Sequence, residues 1–168
     1  MALILLRHTR PEGGAGVCYG RTDLVPGAEL AREARRLAAQ LPPFGAIVSS
    51  PLTRCLRLAQ ALGAARGLPV DCDDRLVELD FGSWEGLPWD KVPRDQLDAW
   101  AADLMAARPH GGESVAMLAE RVVAALDDHE AGDALLVTHM GPIRAALARA
   151  GRLGAWEAKV GFGEWVVV

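Results

Sequence analysis

Two histidines and two arginines lie just after apolar runs or near the start of a helical segment. Arg7 and His8 directly follow an apolar run at residues 2–6, His139 follows another apolar run, and Arg54 lies near the start of a helical segment. Guanidinium groups suit phosphate oxygens because their N–H donors are arranged as a planar fork. A neutral imidazole is a nucleophile. These residue types favour the binding and transfer of a phosphoryl group.

The elements that must position these residues alternate between strands and helices. Apolar runs predict strands at 2–6, 46–49, 134–138 and 165–168, with a weak strand beginning at Val70. Helical spacing is present at 29–41, 51–66 (with Ser50 as N-cap and Pro51 as the first helical residue), 94–107, 113–130 and 142–150. This order predicts an α/β fold, a three-layer sandwich whose mainly parallel central sheet has helices on both faces. Such sheets bind ligands at the carboxyl ends of their strands.

The composition limits the classes of partner. The chain has 168 residues and a net charge of −4, which favours a single domain over 1–168 and argues against nucleic acid as the main partner. No apolar stretch is long enough to span a membrane, and the opening run is too short for a signal peptide, so we expect a cytoplasmic protein. Three widely spaced cysteines suggest neither a disulfide framework nor a zinc cluster.

Five motifs in order carry a resemblance to a known family. The chain resembles the histidine phosphatase superfamily, which includes cofactor-dependent phosphoglycerate mutase. The matching segments are Leu5–Pro11, Ser49–Arg54, Leu76–Gly86, Gly111–Ser114 and Val137–Gly141. One such match would be weak, whereas five in the right order are specific. The resemblance implies a phosphoglycerate mutase-like fold and chemistry that needs neither a metal nor another cofactor.

The resemblance also implies catalytic roles. His8 matches the nucleophile, and Glu78, four residues before Gly82, matches the proton donor. The residues matching the phosphate clamp are Arg7, Arg54 and His139. The physical chemistry agrees, because a bound phosphate disfavours the ionised form of a nearby carboxyl group, which can then protonate the leaving oxygen.

A second, shorter resemblance concerns the substrate. Cys18–Asp23 resembles the corresponding segment of alpha-ribazole phosphatases of cobalamin biosynthesis, and an insertion at about 84–112 is expected to cover the site. Trp84, Trp89 and Trp100 are expected to offer it stacking surface. The expected partner is a small phosphorylated metabolite. Besides the phosphate clamp, the predicted substrate-binding residues are Thr9, Tyr19, Gly20, Arg21 and Met140, where Thr9 and Met140 stand in place of glycines usual or frequent in the family.

Other functions remain as alternatives. The modest insertion disfavours phosphoglycerate mutase-like transfer. The retention of all the catalytic residue types disfavours a catalytically silent phosphate-binding module. The sequence has no HExxH motif to indicate a zinc site, and a metal ion in this pocket would be repelled by the arginines. The glycines at 13–20 do not fit the GxGxxG pattern of dinucleotide sites. The oligomeric state stays open.

Overall fold

The computed structural model describes residues 2–168. Within them, five strands form one sheet in the order β3-β2-β4-β1-β5. The strands are β1 (Leu3–Arg7), β2 (Ala46–Ser49), β3 (Val70–Cys72), β4 (Ala134–Thr138) and β5 (Trp165–Val167). β1 to β4 run parallel, and only the edge strand β5 is antiparallel, against β1.

Helices cover both faces of this sheet. They are α1 (Leu30–Gln40), α2 (Thr53–Arg66), α3 (Arg94–Ala102), α4 (Val115–His129) and α5 (Met140–Arg149). Successive residues of a strand point to opposite faces. Ile4 and Leu6 therefore pack into a core with α1 and α2, whereas Leu3 and Leu5 pack into a second core with α4 and α5. The predicted three-layer α/β sandwich is confirmed.

Four predicted helix boundaries differ from the observed ones by two residues or more, and one of them is the start of α4, at Val115 and not at 113. α2 begins at Thr53 because Ser50 still belongs to the sheet edge: its backbone N–H donates to Val137, at 2.9 Å. α3 ends at Ala102 because Asp103 leaves the helical conformation and its carboxylate accepts the N–H of Ala106. α5 begins at Met140, directly after β4, and not at 142.

The segment at 84–112 has a small core of its own. Trp84 and Val92 are buried there together with Cys18, and the partly buried Trp100 packs against them. Among residues 2–168, no helix has both the length and the apolar character needed to cross a bilayer.

Candidate active site

The carboxyl ends of two neighbouring strands place the two predicted histidines side by side. β1 and β4 are paired in register at Arg7 and Thr138, so His8 and His139 are the next residues on adjacent strands. Their ring centroids are 5.2 Å apart, with the rings at a steep angle. The prediction that both histidines follow strands at one edge of the sheet therefore agrees with their observed positions side by side.

The tautomer of His8 is set by the backbone carbonyl of the next residue. The His8 Nδ1 atom lies 2.7 Å from the carbonyl oxygen of Thr9. Since a carbonyl can only accept, Nδ1 carries the proton in the neutral ring, and the lone pair resides on Nε2. Burial, reinforced by the charge of Arg54, lowers the pKa of His8 to about 3. The imidazole is therefore uncharged at neutral pH, as nucleophilic attack requires.

The two predicted clamp arginines are anchored by backbone carbonyls. Arg7 donates from Nη1 to Val160 at 2.7 Å and lies over the Phe162 ring, 4.0 Å from its centroid. Arg54 has no exposed surface and donates to the carbonyls of Gly20 and Thr22 at 2.7 and 2.8 Å. Burial lowers the pKa of Arg7, yet an arginine stays charged at any physiological pH.

Each of these arginines also carries a buried donor that is not used within the structure. The Nε atoms of Arg7 and Arg54, like the hydroxyl of Thr9, have no hydrogen-bond partner within residues 2–168. An unsatisfied buried donor costs about 1–3 kcal/mol, and such groups concentrate at functional positions. A bound oxyanion would supply the missing acceptors.

His139 is held in place by contacts with Ser50 and Cys55. Its Nε2 atom lies 2.8 Å from the Ser50 hydroxyl and 3.4 Å from the sulfur of Cys55. Burial, reinforced by the neighbouring His8 ring and by the charge of Arg54, lowers the pKa of His139 well below its usual value. Both histidines are therefore neutral, and the fixed positive charge at this site comes from the arginines.

Glu78 is oriented by the first turn of α5. Its two carboxylate oxygens accept the N–H of Gly141 at 3.1 and 3.2 Å, and one of them accepts the N–H of Leu79 at 3.0 Å. The first amides of a helix have no partner within the helix. Gly141 is required for this contact, because a Cβ atom there would lie 2.2 Å from Glu78 Oε1.

A cavity of about 230 Å³ opens onto this cluster. At its polar end lie Arg7, His8, Tyr19 and Glu78. The rest of the wall is largely apolar and aromatic, and includes Phe81, Trp89, Trp100, Leu104, Val115, Leu118, Met140 and Trp156. Arg54 and His139 are not part of this wall and are fully buried behind it.

The remaining predicted binding residues occupy different places. Tyr19 and Met140 line the cavity, while Gly20 contributes the carbonyl that holds Arg54. Thr9 is buried beside His8 and provides its carbonyl. Arg21 is not part of the cavity wall and donates to the backbone carbonyl of Glu78 at 2.8 Å. The binding roles of these residues stay predictions.

The aromatic wall differs in part from the sequence prediction. Trp89 and Trp100 line the cavity, but Trp84 is buried outside it, with its indole N–H donating to Gln96 at 2.7 Å. Trp156 and Arg144 line the cavity and were not foreseen. Arg144 follows Gly141 by three residues, so it lies on the same face of α5, which is a signal the sequence did contain.

Comparison with known proteins identifies relatives of this chain. The family "Histidine phosphatase superfamily (branch 1)" matches residues 3–161. A glucosyl-3-phosphoglycerate phosphatase of Mycolicibacterium vanbaalenii is 42% identical over 71% of this chain and 55% of its own length, so the chain spans about half of that relative. A phosphoserine phosphatase 1 of Hydrogenobacter thermophilus is 31% identical over 85% of this chain and 72% of its own length.

A solved structure gives the same result over the whole fold. The protein TTHB049 from Thermus thermophilus superposes with a TM-score of 0.82 at 33% identity, covering 100% of this chain and 93% of its own. The expected resemblance is confirmed: this chain belongs to the histidine phosphatase superfamily, branch 1.

Proposed function

We propose that this protein hydrolyses small phosphomonoesters through a phosphohistidine intermediate at His8, without a metal ion. One observation carries the proposal. A neutral imidazole, with its lone pair on Nε2, lines a cavity beside arginines whose buried donors lack an acceptor. Fixed donors around a transferring phosphoryl group stabilise the charge of the transition state, which is most of what this reaction requires from a protein.

The first step forms a phosphorus–nitrogen bond. The lone pair of His8 Nε2 attacks phosphorus, and the bond from phosphorus to the alcohol oxygen breaks. Glu78, which lines the same cavity, gives a proton to the departing oxygen. Arg7, which lines the cavity, holds the non-bridging phosphoryl oxygens during the transfer, and the positive charge of Arg54, buried behind the wall, stabilises them.

The second step returns the enzyme to its starting state. A water molecule attacks the phosphorus atom of the intermediate, and the Glu78 carboxylate accepts a proton from it. The phosphorus–nitrogen bond breaks, and its electron pair returns to Nε2. Orthophosphate leaves, and the proton that Glu78 gave in the first step has been replaced.

The apolar wall of the cavity favours an alcohol with a flat, apolar part. Trp89, Trp100 and Phe81 line the same cavity as His8 and offer stacking surface. We therefore propose alpha-ribazole 5′-phosphate, which bears an aromatic base, as the candidate substrate. A candidate alpha-ribazole-5′-P phosphatase of Escherichia coli has the same fold, with a TM-score of 0.84, but at 24% identity this likeness concerns the fold alone.

Hydrolysis of p-nitrophenyl phosphate by the wild type, by His8→Ala and by His129→Ala tests the chemistry. His129 is the control, because it lies at the end of α4 and pairs with Asp73 instead of lining the cavity. We expect His8→Ala to abolish turnover and the control to retain it. Equal rates for the wild type and His8→Ala would overturn the proposal and favour a silent binding module.

A substrate panel tests the finer assignment. It contains alpha-ribazole 5′-phosphate, glucosyl-3-phosphoglycerate, phosphoserine and p-nitrophenyl phosphate. We expect the highest kcat/KM for the first. Turnover of alpha-ribazole 5′-phosphate no faster than that of the aryl phosphate would remove the assignment and leave the phosphatase chemistry in place.

A further inference from the structure

Two carboxylates outside the cavity, one half-buried and one buried, are each tied to a different part of the site. Glu85 contacts the loop at residues 20–22, and Glu113 contacts Arg121. We propose that Glu85 is a positioning residue for Arg54, and that Glu113, through Arg121, is a positioning residue for Glu78. Phosphate binding and leaving-group protonation are thereby supported by two carboxylate-centred networks, which meet at Arg21: its Nε donates to the Glu78 carbonyl at 2.8 Å, and its Nη2 lies 3.6 Å from Glu113. This inference rests on the proposed function.

Glu85 orders the loop that holds Arg54. Its oxygens accept the backbone N–H groups of Gly20, Arg21 and Thr22 at 2.8–3.3 Å, and the Thr22 hydroxyl at 2.6 Å. Burial would raise the pKa of Glu85, but these hydrogen bonds outweigh it and hold the pKa below its usual value. The carboxylate is therefore a fixed acceptor in the folded protein.

A single peptide group connects Glu85 to Arg54. The N–H of the Gly20–Arg21 peptide donates to Glu85 at 2.8 Å, and the carbonyl of the same peptide accepts from Arg54 at 2.7 Å. The Thr22 carbonyl makes the second contact to Arg54, at 2.8 Å. Rotation of this loop would move both carbonyl partners of Arg54 together.

Glu113 supports the opposite side of the site. It forms a bidentate pair with Arg121, with N···O distances of 2.6 and 2.9 Å. Arg121 in turn donates to the carbonyls of Arg75, Val77 and Glu78 at 2.6, 2.8 and 3.1 Å. This pair therefore fixes the backbone from which the Glu78 side chain extends towards Gly141.

The carboxyl-to-amide variants Glu85→Gln and Glu113→Gln separate the two networks. In either variant an NH₂ group replaces one carboxylate oxygen. This group cannot accept hydrogen bonds from the donors that face it, so the loop at residues 20–22 must shift in Glu85→Gln, and the Arg121 side chain must shift in Glu113→Gln. We expect Glu85→Gln to raise the inhibition constant of orthophosphate about tenfold, which is about 1.4 kcal/mol. It should slow aryl and alkyl phosphates equally, by about 100-fold, the cost of a misplacement of about 1 Å.

Glu113→Gln is expected to behave differently. It should leave the inhibition constant of orthophosphate within about twofold and slow an alkyl phosphate about tenfold more than an aryl phosphate, since protonation matters most for a poor leaving group. Asp98→Asn is the control for loss of a carboxylate, because Asp98 pairs with Arg94 on the exposed surface of α3. It should match the wild type in every measurement.

Double variants test whether each carboxylate acts through its proposed partner. Glu85→Gln should add little in an Arg54→Lys background, and Glu113→Gln should add little in a Glu78→Gln background, because coupled residues are not additive. Additive effects, or the same profile for both carboxylates, would overturn the inference. If Glu85→Gln does not fold, Thr22→Val, which removes one donor to Glu85, should weaken orthophosphate binding in the same direction.

Failure of the inference is distinguishable from failure of the proposed function. Orthophosphate affinity measured by calorimetry does not depend on turnover, so it tests the Glu85 network even in an inactive protein. Unchanged affinity in both Glu85→Gln and Thr22→Val would refute the role of Glu85. Absence of turnover by the wild type on every phosphomonoester would refute the proposed function.

Discussion

Adding one methyl group at Gly141 should displace Glu78 while leaving the fold intact. The Cβ atom of alanine would lie 2.2 Å from Glu78 Oε1, and real Cβ contacts shorter than 3.0 Å essentially do not occur. The carboxylate must therefore retreat by about 0.8 Å. Leu118 must also give slightly, because its Cδ1 atom would lie 3.0 Å away.

The effect on stability should be small. Gly141 lies in the first turn of α5, and its φ angle is not positive. Alanine in a helix is favoured over glycine by up to about 1 kcal/mol, which offsets the crowding. We therefore expect the free energy of unfolding of Gly141→Ala to lie within about 1 kcal/mol of the wild type.

The effect on catalysis should be large and selective. A misplacement of about 1 Å costs on the order of 100-fold in rate, or about 2.7 kcal/mol in activation free energy. The full loss is expected for an alkyl phosphate, whose leaving oxygen needs the proton of Glu78. An aryl phosphate departs with little help and should lose much less.

The assay compares kcat for p-nitrophenyl phosphate and for an alkyl phosphate in Gly141→Ala. Gly132→Ala is the matched control, because a Cβ atom at Gly132 meets nothing within 4 Å. Equal slowing of both esters, or an alkyl phosphate rate equal to that of the wild type, would refute the reasoning that Gly141 sets the position of the acid.

Further predictions concern the acid, the effect of pH and the ligands. Glu78→Gln should slow alkyl phosphates far more than aryl phosphates, and equal losses in kcat would exclude the acid role. Histidine in the unfolded chain has a pKa of about 6.5, whereas the pKa of His8 in the fold is about 3. The contribution of neutral His8 to the free energy of unfolding is therefore fully present above pH 6.5 and is lost as the pH falls towards 3. Chemical denaturation should show a loss of about 1.4 kcal/mol per pH unit from His8, absent in His8→Asn; an unchanged slope in that variant would contradict the shift. Vanadate should inhibit competitively and EDTA should have no effect on kcat; restoration of activity by a divalent metal after EDTA treatment would show that the mechanism is wrong.

Local sequence patterns predicted the fold class and most of the polar end of the site. Apolar runs at 2–6 and 134–138 identified the two central strands, and His8 and His139 are the polar residues that follow them. Parallel strands end at the same edge of a sheet, so the sequence alone predicts that His8 and His139 lie close together. The candidate acid Glu78 came from the resemblance to the family, in which the proton donor stands four residues before the glycine that matches Gly82.

Contacts between distant segments could not be foreseen in this way. Ser50 has the residue type of a helix cap, but sheet pairing with Val137 and the contact with His139 determine its position. Trp84 has the residue type of a stacking surface, yet it is buried in a small core with Cys18, which lies far earlier in the chain. Trp156, from near the other end of the chain, lines the cavity instead.

The sequence by itself determined which residues are the candidates for the chemistry, because strand ends and the motifs that carry the family resemblance are local properties of the chain. Tertiary structure alone decided how those residues are held: the Ser50 hydroxyl contacts Nε2 of His139, Gly141 leaves room for Glu78, and Glu85 orders the loop that holds Arg54. The physical reason is that burial and hydrogen-bond partners arise between segments tens of residues apart, and periodicity does not encode them.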